Sequence, residues 1–184
     1  MSIPWQPNPR YYRMLDSTRA GCVVAWDNRD HATCMSDPDP WFRKWHDPLW
    51  LASVLPRDRA YLAFSRASQN GDPGDGDLVK GDSLGFLNYG LEWSDILDQP
   101  ERFEATVSFA GAGQPFPLSV DITLRRVQRF RVTPGARVRL IERGADGSEK
   151  MNFIGLADSS GHVTFQGFRL ESRDGARLVV LPAD

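Results

Sequence analysis

Arg102-Phe-Glu-Ala-Thr-Val-Ser-Phe109 and Leu118-Ser-Val-Asp-Ile-Thr-Leu-Arg125 decide the fold class of this chain. In the first stretch Phe103, Ala105, Val107 and Phe109 alternate with Arg102, Glu104, Thr106 and Ser108. In the second, Leu118, Val120, Ile122 and Leu124 alternate with Ser119, Asp121, Thr123 and Arg125. Side chains on a strand point to opposite faces in turn, so a period of two gathers the apolar residues on one side. The pattern predicts antiparallel strands with one dry face and one wet face. Further strands are expected at residues 60–65, 86–93, 136–142, 150–156, 162–168 and 177–181. Thr133-Pro-Gly135, Ala145-Asp-Gly147, Ser159-Ser-Gly161 and Asp174-Gly175 separate several of them with turn-forming residues. Many short strands at this spacing predict a mainly β chain, with an antiparallel β-sandwich over residues 57–184. Phe103, Val107, Val120, Ile122, Val138 and Phe165 are expected to face its core.

Residues 1–56 have a different texture. Pro9 suits the first turn of a helix, and Tyr11, Met14, Leu15 and Thr18 share one helical face before Gly21 ends it. Cys22-Val-Val-Ala-Trp26 is a continuous apolar run, as in a strand of a parallel sheet covered on both faces. A polar loop, Asp27-Asn-Arg-Asp-His31, follows, and Ser36-Asp-Pro-Asp-Pro40 signals another helix start. The expected organisation is a helix–strand–loop–helix unit over 1–56, then the β-sandwich.

Composition narrows the function classes. The 184 residues are 41% hydrophobic, enough for a core, and carry a formal net charge of -2. A general nucleic-acid binder would be basic, so that class is set aside. No apolar run is long enough to span a bilayer, and Met1-Ser-Ile-Pro-Trp-Gln-Pro-Asn-Pro9 lacks the basic and apolar regions of a signal peptide. Cys22 and Cys34 are compatible with one disulfide or with two free thiols.

Several residues invite a chemical reading. Gly81-Asp-Ser-Leu-Gly85 matches G-x-S-x-G, and its first four residues spell the motif of GDSL-type esterases. A nucleophile elbow needs a strand before its serine and a helix after it. Here a Gly/Asp loop precedes Ser83, and Phe86-Leu-Asn-Tyr-Gly-Leu-Glu-Trp93 reads as strand, so Ser83 is not expected to be a nucleophile. Asp158-Ser-Ser-Gly-His162 is one residue longer than the Asp-x-x-His of GDSL enzymes. Asp72, Asp75, Asp77 and Asp82 could supply oxygen ligands to calcium, or form a solvated turn-rich loop; no EF-hand spacing is present. Arg125, Arg126, Arg129 and Arg131 read as the wet face of a strand, with anion binding as the alternative. Trp41, Trp45 and Trp50 read as core or as a seam, with sugar stacking as the alternative. His46 and His162 have no metal-ligand companion at useful spacing and receive no role. No metal or cofactor site is assigned.

His31 stands apart, because open α/β sheets place functional groups at the carboxyl ends of strands. The segment Tyr11 to Thr18, the run Cys22 to Trp26 and the loop carrying His31 together resemble the end of an α/β-hydrolase domain. Tyr61-Leu-Ala-Phe-Ser-Arg-Ala-Ser68, Gly74-Asp-Gly-Asp77, Gly81-Asp82, Leu87-Asn88, Leu91-Glu-Trp93 and the stretch Asp121 to Phe130 extend the likeness. They resemble the tail of secreted bacterial α/β-hydrolases that carry a β-sandwich after the catalytic domain. That resemblance implies that His31 is the triad base, and that nucleophile and acid belong to an upstream domain. It also implies an extracytoplasmic setting. A base without its nucleophile performs no acyl transfer, so the chain alone is expected to be inactive. The other expectation is a non-catalytic β-sandwich module that binds a protein or glycan partner, with residues 1–56 as packing.

Overall fold

The alternating segments do become strands. A computed structural model describes residues 9–27, 44, 47–70, 84–111, 116–144 and 146–183. In chain order these contain α1 (Pro9–Ser17), β1 (Val24–Asp27), α2 (Pro48–Val54), β2 (Tyr61–Ser65), β3 (Leu84–Leu87) and β4 (Leu91–Gln99). There follow β5 (Arg102–Phe109), β6 (Leu118–Arg125), β7 (Arg137–Gly144), β8 (Glu149–Leu156), β9 (Thr164–Leu170) and β10 (Ala176–Pro182). The chain is mainly β, as its periodicity predicts. Among the described residues one sheet has the order β4-β5-β10-β7-β8, a second β2-β6-β9, and β1 pairs only with β3. All of these pairings are antiparallel.

The two larger sheets contribute to a single core. Phe103 and Val107 of β5, Val120 and Ile122 of β6, Val138 of β7 and Phe165 of β9 are all at most 1% exposed, as expected. Phe153 of β8 meets Phe165 of β9 edge-on at 5.0 Å, and Phe165 meets Phe168 at 5.2 Å. Trp93 of β4 lies 5.9 Å from Phe64 of β2. Ring pairs at these separations add to the transfer free energy of burial.

Phe165 and Phe168 are separated by three positions, so a regular strand would point them to opposite faces. A β-bulge resolves this. Val120 pairs with Phe168 and Ile122 with Phe165, leaving Asp121 alone opposite Gln166 and Gly167. Gly167 has φ 66°, and its amide donates to Asp121 Oδ1 at 3.0 Å. The other oxygen of Asp121 accepts from Arg66 through Nε, at 2.6 Å, and through Nη2.

Three expectations are corrected. The outer face of β6 is not wet: Asp121 is 5% and Thr123 1% exposed. The amino-terminal segment contacts that face of the sheet. Asp16 accepts the Arg66 amide at 3.0 Å, Arg19 donates to Thr164 at 3.2 Å, and Gly21 lies against the Tyr61 ring. Second, residues 86–93 are not one strand. Asn88 (φ 56°) and Gly90 (φ 77°) turn the chain between β3 and β4, and a Cβ at Gly90 would lie 2.5 Å from the Phe109 ring. Third, β1 has no parallel neighbour among the described residues; its partner β3 runs antiparallel. A short apolar run reports burial on both faces and says nothing of its neighbour's direction.

Glu142 is the one carboxylate on the core-facing side of β7, alternating with Val138 and Leu140, and it is 2% exposed. Burial pushes its carboxyl above the ordinary range, against the hydrogen bond it accepts from the Arg169 amide at 3.1 Å. The folded chain therefore holds this proton more tightly than the unfolded chain. Stability from this group is full below its unfolded value and declines as pH rises through the folded one. Glu142→Gln is expected to raise the thermal midpoint at pH 7 and to lose that advantage near pH ~4, where wild type is protonated as well. Ile122→Ala is expected to cost about 2–5 kcal/mol, read as a lower urea midpoint at unchanged slope.

Candidate functional site

The residue assigned a catalytic role from sequence, His31, lies outside the described residues, as do Ser83, Cys34, Trp41, Trp45, His46 and the acidic group Asp72, Asp75, Asp77 and Asp82. Their flanks are described. β3 starts at Leu84, so the residues directly after Ser83 are strand, where a nucleophile elbow requires a helix. The last residue of β1, Asp27, is the register partner of Leu84. The chain thus leaves toward His31 and returns from Ser83 at the same end of this ribbon.

Cys22, just before β1, is a free thiol. Its carbonyl accepts from Asn88 Nδ2 at 3.0 Å, and the same amide group donates to the Phe64 carbonyl at 2.9 Å. Burial and the Asp16 charge, only partly offset by Asn88, push the thiol up to about 11. A thiol held protonated in this way is a poor nucleophile.

The described cavity with both apolar and cationic walls lies elsewhere. It has a volume of about 340 Å³ and opens between the loop after β6 and the turn before β9. Its apolar wall is Leu124, Val127, Phe130, Val132 and Val163. Leu124 and Val163 are joined by a backbone hydrogen bond of 3.0 Å, and Phe130 packs on Phe103 of the core at 6.5 Å. Arg126, Arg131, His162 and Ser160 supply the polar wall.

Each flanking loop is built around one aspartate. Asp98, near the end of β4, accepts the amides of Gln128 at 2.7 Å, Arg129 at 3.1 Å and Phe130 at 2.7 Å. Asp158 accepts the amides of Ser160 at 2.8 Å and His162 at 2.9 Å, with its second oxygen 3.6 Å from His162 Nδ1. Burial pushes the Asp158 carboxyl up, but these amides and the His162 ring outweigh it and hold the group below the usual range. Asp158-Ser-Ser-Gly-His162 is thus a hydrogen-bonded turn, the Asx motif that short aspartate loops favour. Gly161 (φ 76°) lets the turn approach the opposite loop, since a Cβ there would sit 2.8 Å from the Val132 carbonyl oxygen.

Arg126 is fixed above the Tyr61 ring at 5.3 Å and donates to the carbonyls of Leu55 at 3.1 Å and Pro56 at 3.3 Å. Arg131 donates from Nε to the Gln128 carbonyl at 3.0 Å. The arginine run is therefore a loop structure as well as a strand end. That His162 and Arg131 line one cavity is not legible locally, because they are about thirty residues apart in sequence. The only local signals were the arginine run and the Asp-to-His turn.

Among the described residues no group of three or more His, Cys, Asp and Glu side chains is placed to hold a metal ion, and no helix is long and apolar enough to cross a membrane. No protein-family model, curated protein or solved structure matches this chain.

Asp98→Ala should release the loop over 128–130. The expected cost is about 1–3 kcal/mol, with faster hydrogen exchange at the amides of Gln128, Arg129 and Phe130 and little change at Leu140 or Val180.

Proposed function

We propose that this chain is a non-catalytic β-sandwich module whose ligand site is the cleft between the loop after β6 and the turn before β9. One observation carries the reading: the amino-terminal segment is joined to the β structure rather than to a parallel sheet of its own. The links are Asp16 to Arg66, Arg19 to Thr164, Cys22 to Asn88, and β1 to β3 in antiparallel register. The cleft volume of about 340 Å³ falls within the range of small-molecule sites.

A second reading keeps one observation on its side. In it the chain is the carboxyl-terminal portion of a serine α/β-hydrolase, secreted with an upstream catalytic domain, and His31 is the general base. The order of α1 then β1, with β1 ending four residues before His31 in sequence, is the one this reading expects. Both readings expect the purified chain to leave a p-nitrophenyl ester and a fluorophosphonate label untouched, so turnover, or a label lost in Ser83→Ala, would overturn the non-catalytic and the incomplete-site reading alike. Expression of the chain together with the coding sequence on its 5′ side separates the two: the hydrolase reading expects ester turnover that His31→Ala abolishes, and the binding-module reading expects none.

A further inference from the structure

The charged side chains lining the cleft have one sign. Much of the flanking backbone donor capacity is committed: the amides of residues 128–130 go to Asp98, those of Ser160 and His162 to the Asp158 side chain, and that of Gly161 to the Asp158 carbonyl at 2.9 Å. The two nearby carboxylates are the ones receiving these bonds. Both oxygens of Asp98 are engaged by amides, and those of Asp158 face two amides and the His162 ring. Beside the Ser160 hydroxyl and the other lining amides, what remains is cationic donor capacity. Among the described residues Arg131 donates only from Nε and Arg126 only from Nη1, in each case to neutral carbonyls. Neither forms an ion pair with a carboxylate among the described residues. A guanidinium has five donors and no acceptor, in a planar fork that matches a carboxylate or phosphate.

Beneath these cations the wall is apolar. Leu124, Phe130 and Val163 are at most 3% exposed and belong to the main core, and the half-buried Val127 and Val132 present its accessible apolar surface. A ligand that satisfies both halves carries an apolar body against this wall and an anionic head at the rim. A neutral sugar would leave the guanidiniums without a counter-charge, and an inorganic anion would leave the apolar wall wet.

We propose that the cleft binds a small amphipathic anion, a compact hydrocarbon or aromatic body bearing a carboxylate or phosphate head, held by Arg131 and Arg126. This deepens the binding-module reading and rests on it. The head lies across the mouth, where the exposed Arg131 fork closes on it. The body lies along Val127 and Val132. Arg126, pinned to the 55–56 carbonyls, is the fixed charge, and Arg131, tied at a single nitrogen, is the adjustable one.

Titration of the isotope-labelled full chain with octanoate, octyl phosphate, 1-octanol and inorganic phosphate tests this by amide shifts. At least one of the two octyl anions is expected to move the amides of residues 126–132 and 160–163, and to bind about tenfold or more tightly than 1-octanol and than inorganic phosphate. The preference between octanoate and octyl phosphate identifies the head. Arg131→Ala should weaken that anion about tenfold while leaving 1-octanol unchanged, and Arg131→Lys should recover only part of the loss. Arg139→Ala, on the other sheet, should change nothing. Equal binding of octanol and both anions, equal binding of inorganic and octyl phosphate, or no shift at these amides with any probe would each overturn the proposed ligand class. Neutral-probe binding in the cleft would do so while sparing the binding-module reading, whereas ester turnover would remove that reading as well.

Discussion

Phe165 holds the centre of this molecule. Its ring is fully buried, with Phe153 of the five-stranded sheet on one side and Phe168 of its own strand on another. That arrangement depends on the bulge opposite Asp121, since without it one of the two β9 phenylalanines would point away from the core. The bulge in turn depends on Asp121, a nearly buried carboxylate balanced by the Arg66 guanidinium and the Gly167 amide. One charged side chain in a low-dielectric setting thus sets the register on which the aromatic core rests. Removing Arg66 would leave the Asp121 carboxylate buried without its counter-charge, whereas Arg66, 60% exposed, would be solvated if Asp121 were removed.

The same economy recurs at the surface loops. Asp98 and Asp158 each gather backbone amides that a tight loop would leave without partners. Asn88 does comparable work in the interior, joining the Cys22 and Phe64 carbonyls across two segments far apart in sequence. With these acceptors committed to the backbone, the arginines at the cleft form no ion pair with a carboxylate among the described residues. That imbalance gives the cleft its chemical character.

Much of the fold was legible because the period-two pattern is a direct consequence of strand geometry. Phe103, Val107, Val120, Ile122, Val138 and Phe165 were identifiable as core from alternation alone, and each is buried. The turn at Asn88 and Gly90 was harder to read, because Tyr89 and Leu91 continue an apolar stretch through it. Only the positive φ angles, imposed by packing of Gly90 on Phe109, break the strand there. The outer face of β6 was misjudged for a different reason. Thr123 and Asp121 are polar, and polarity predicts water unless another segment supplies hydrogen bonds. Here Thr164, Arg66 and Gly167 supply them.

By itself the sequence determined the mainly β class, most strand positions, the core-facing residues of the central strands and the turns that join them. All of these follow from local stereochemistry and the segregation of apolar side chains. Tertiary structure alone decided which strands are neighbours, that β1 meets an antiparallel partner, and that the outer face of the three-stranded sheet is contacted by the amino-terminal segment. It also brought Arg126 and Arg131 to the same cavity as His162. The physical reason is that pairing direction and loop proximity depend on contacts between residues distant in the chain. Hydrophobic periodicity reports which side of a strand is dry, and carries no information about what lies against it.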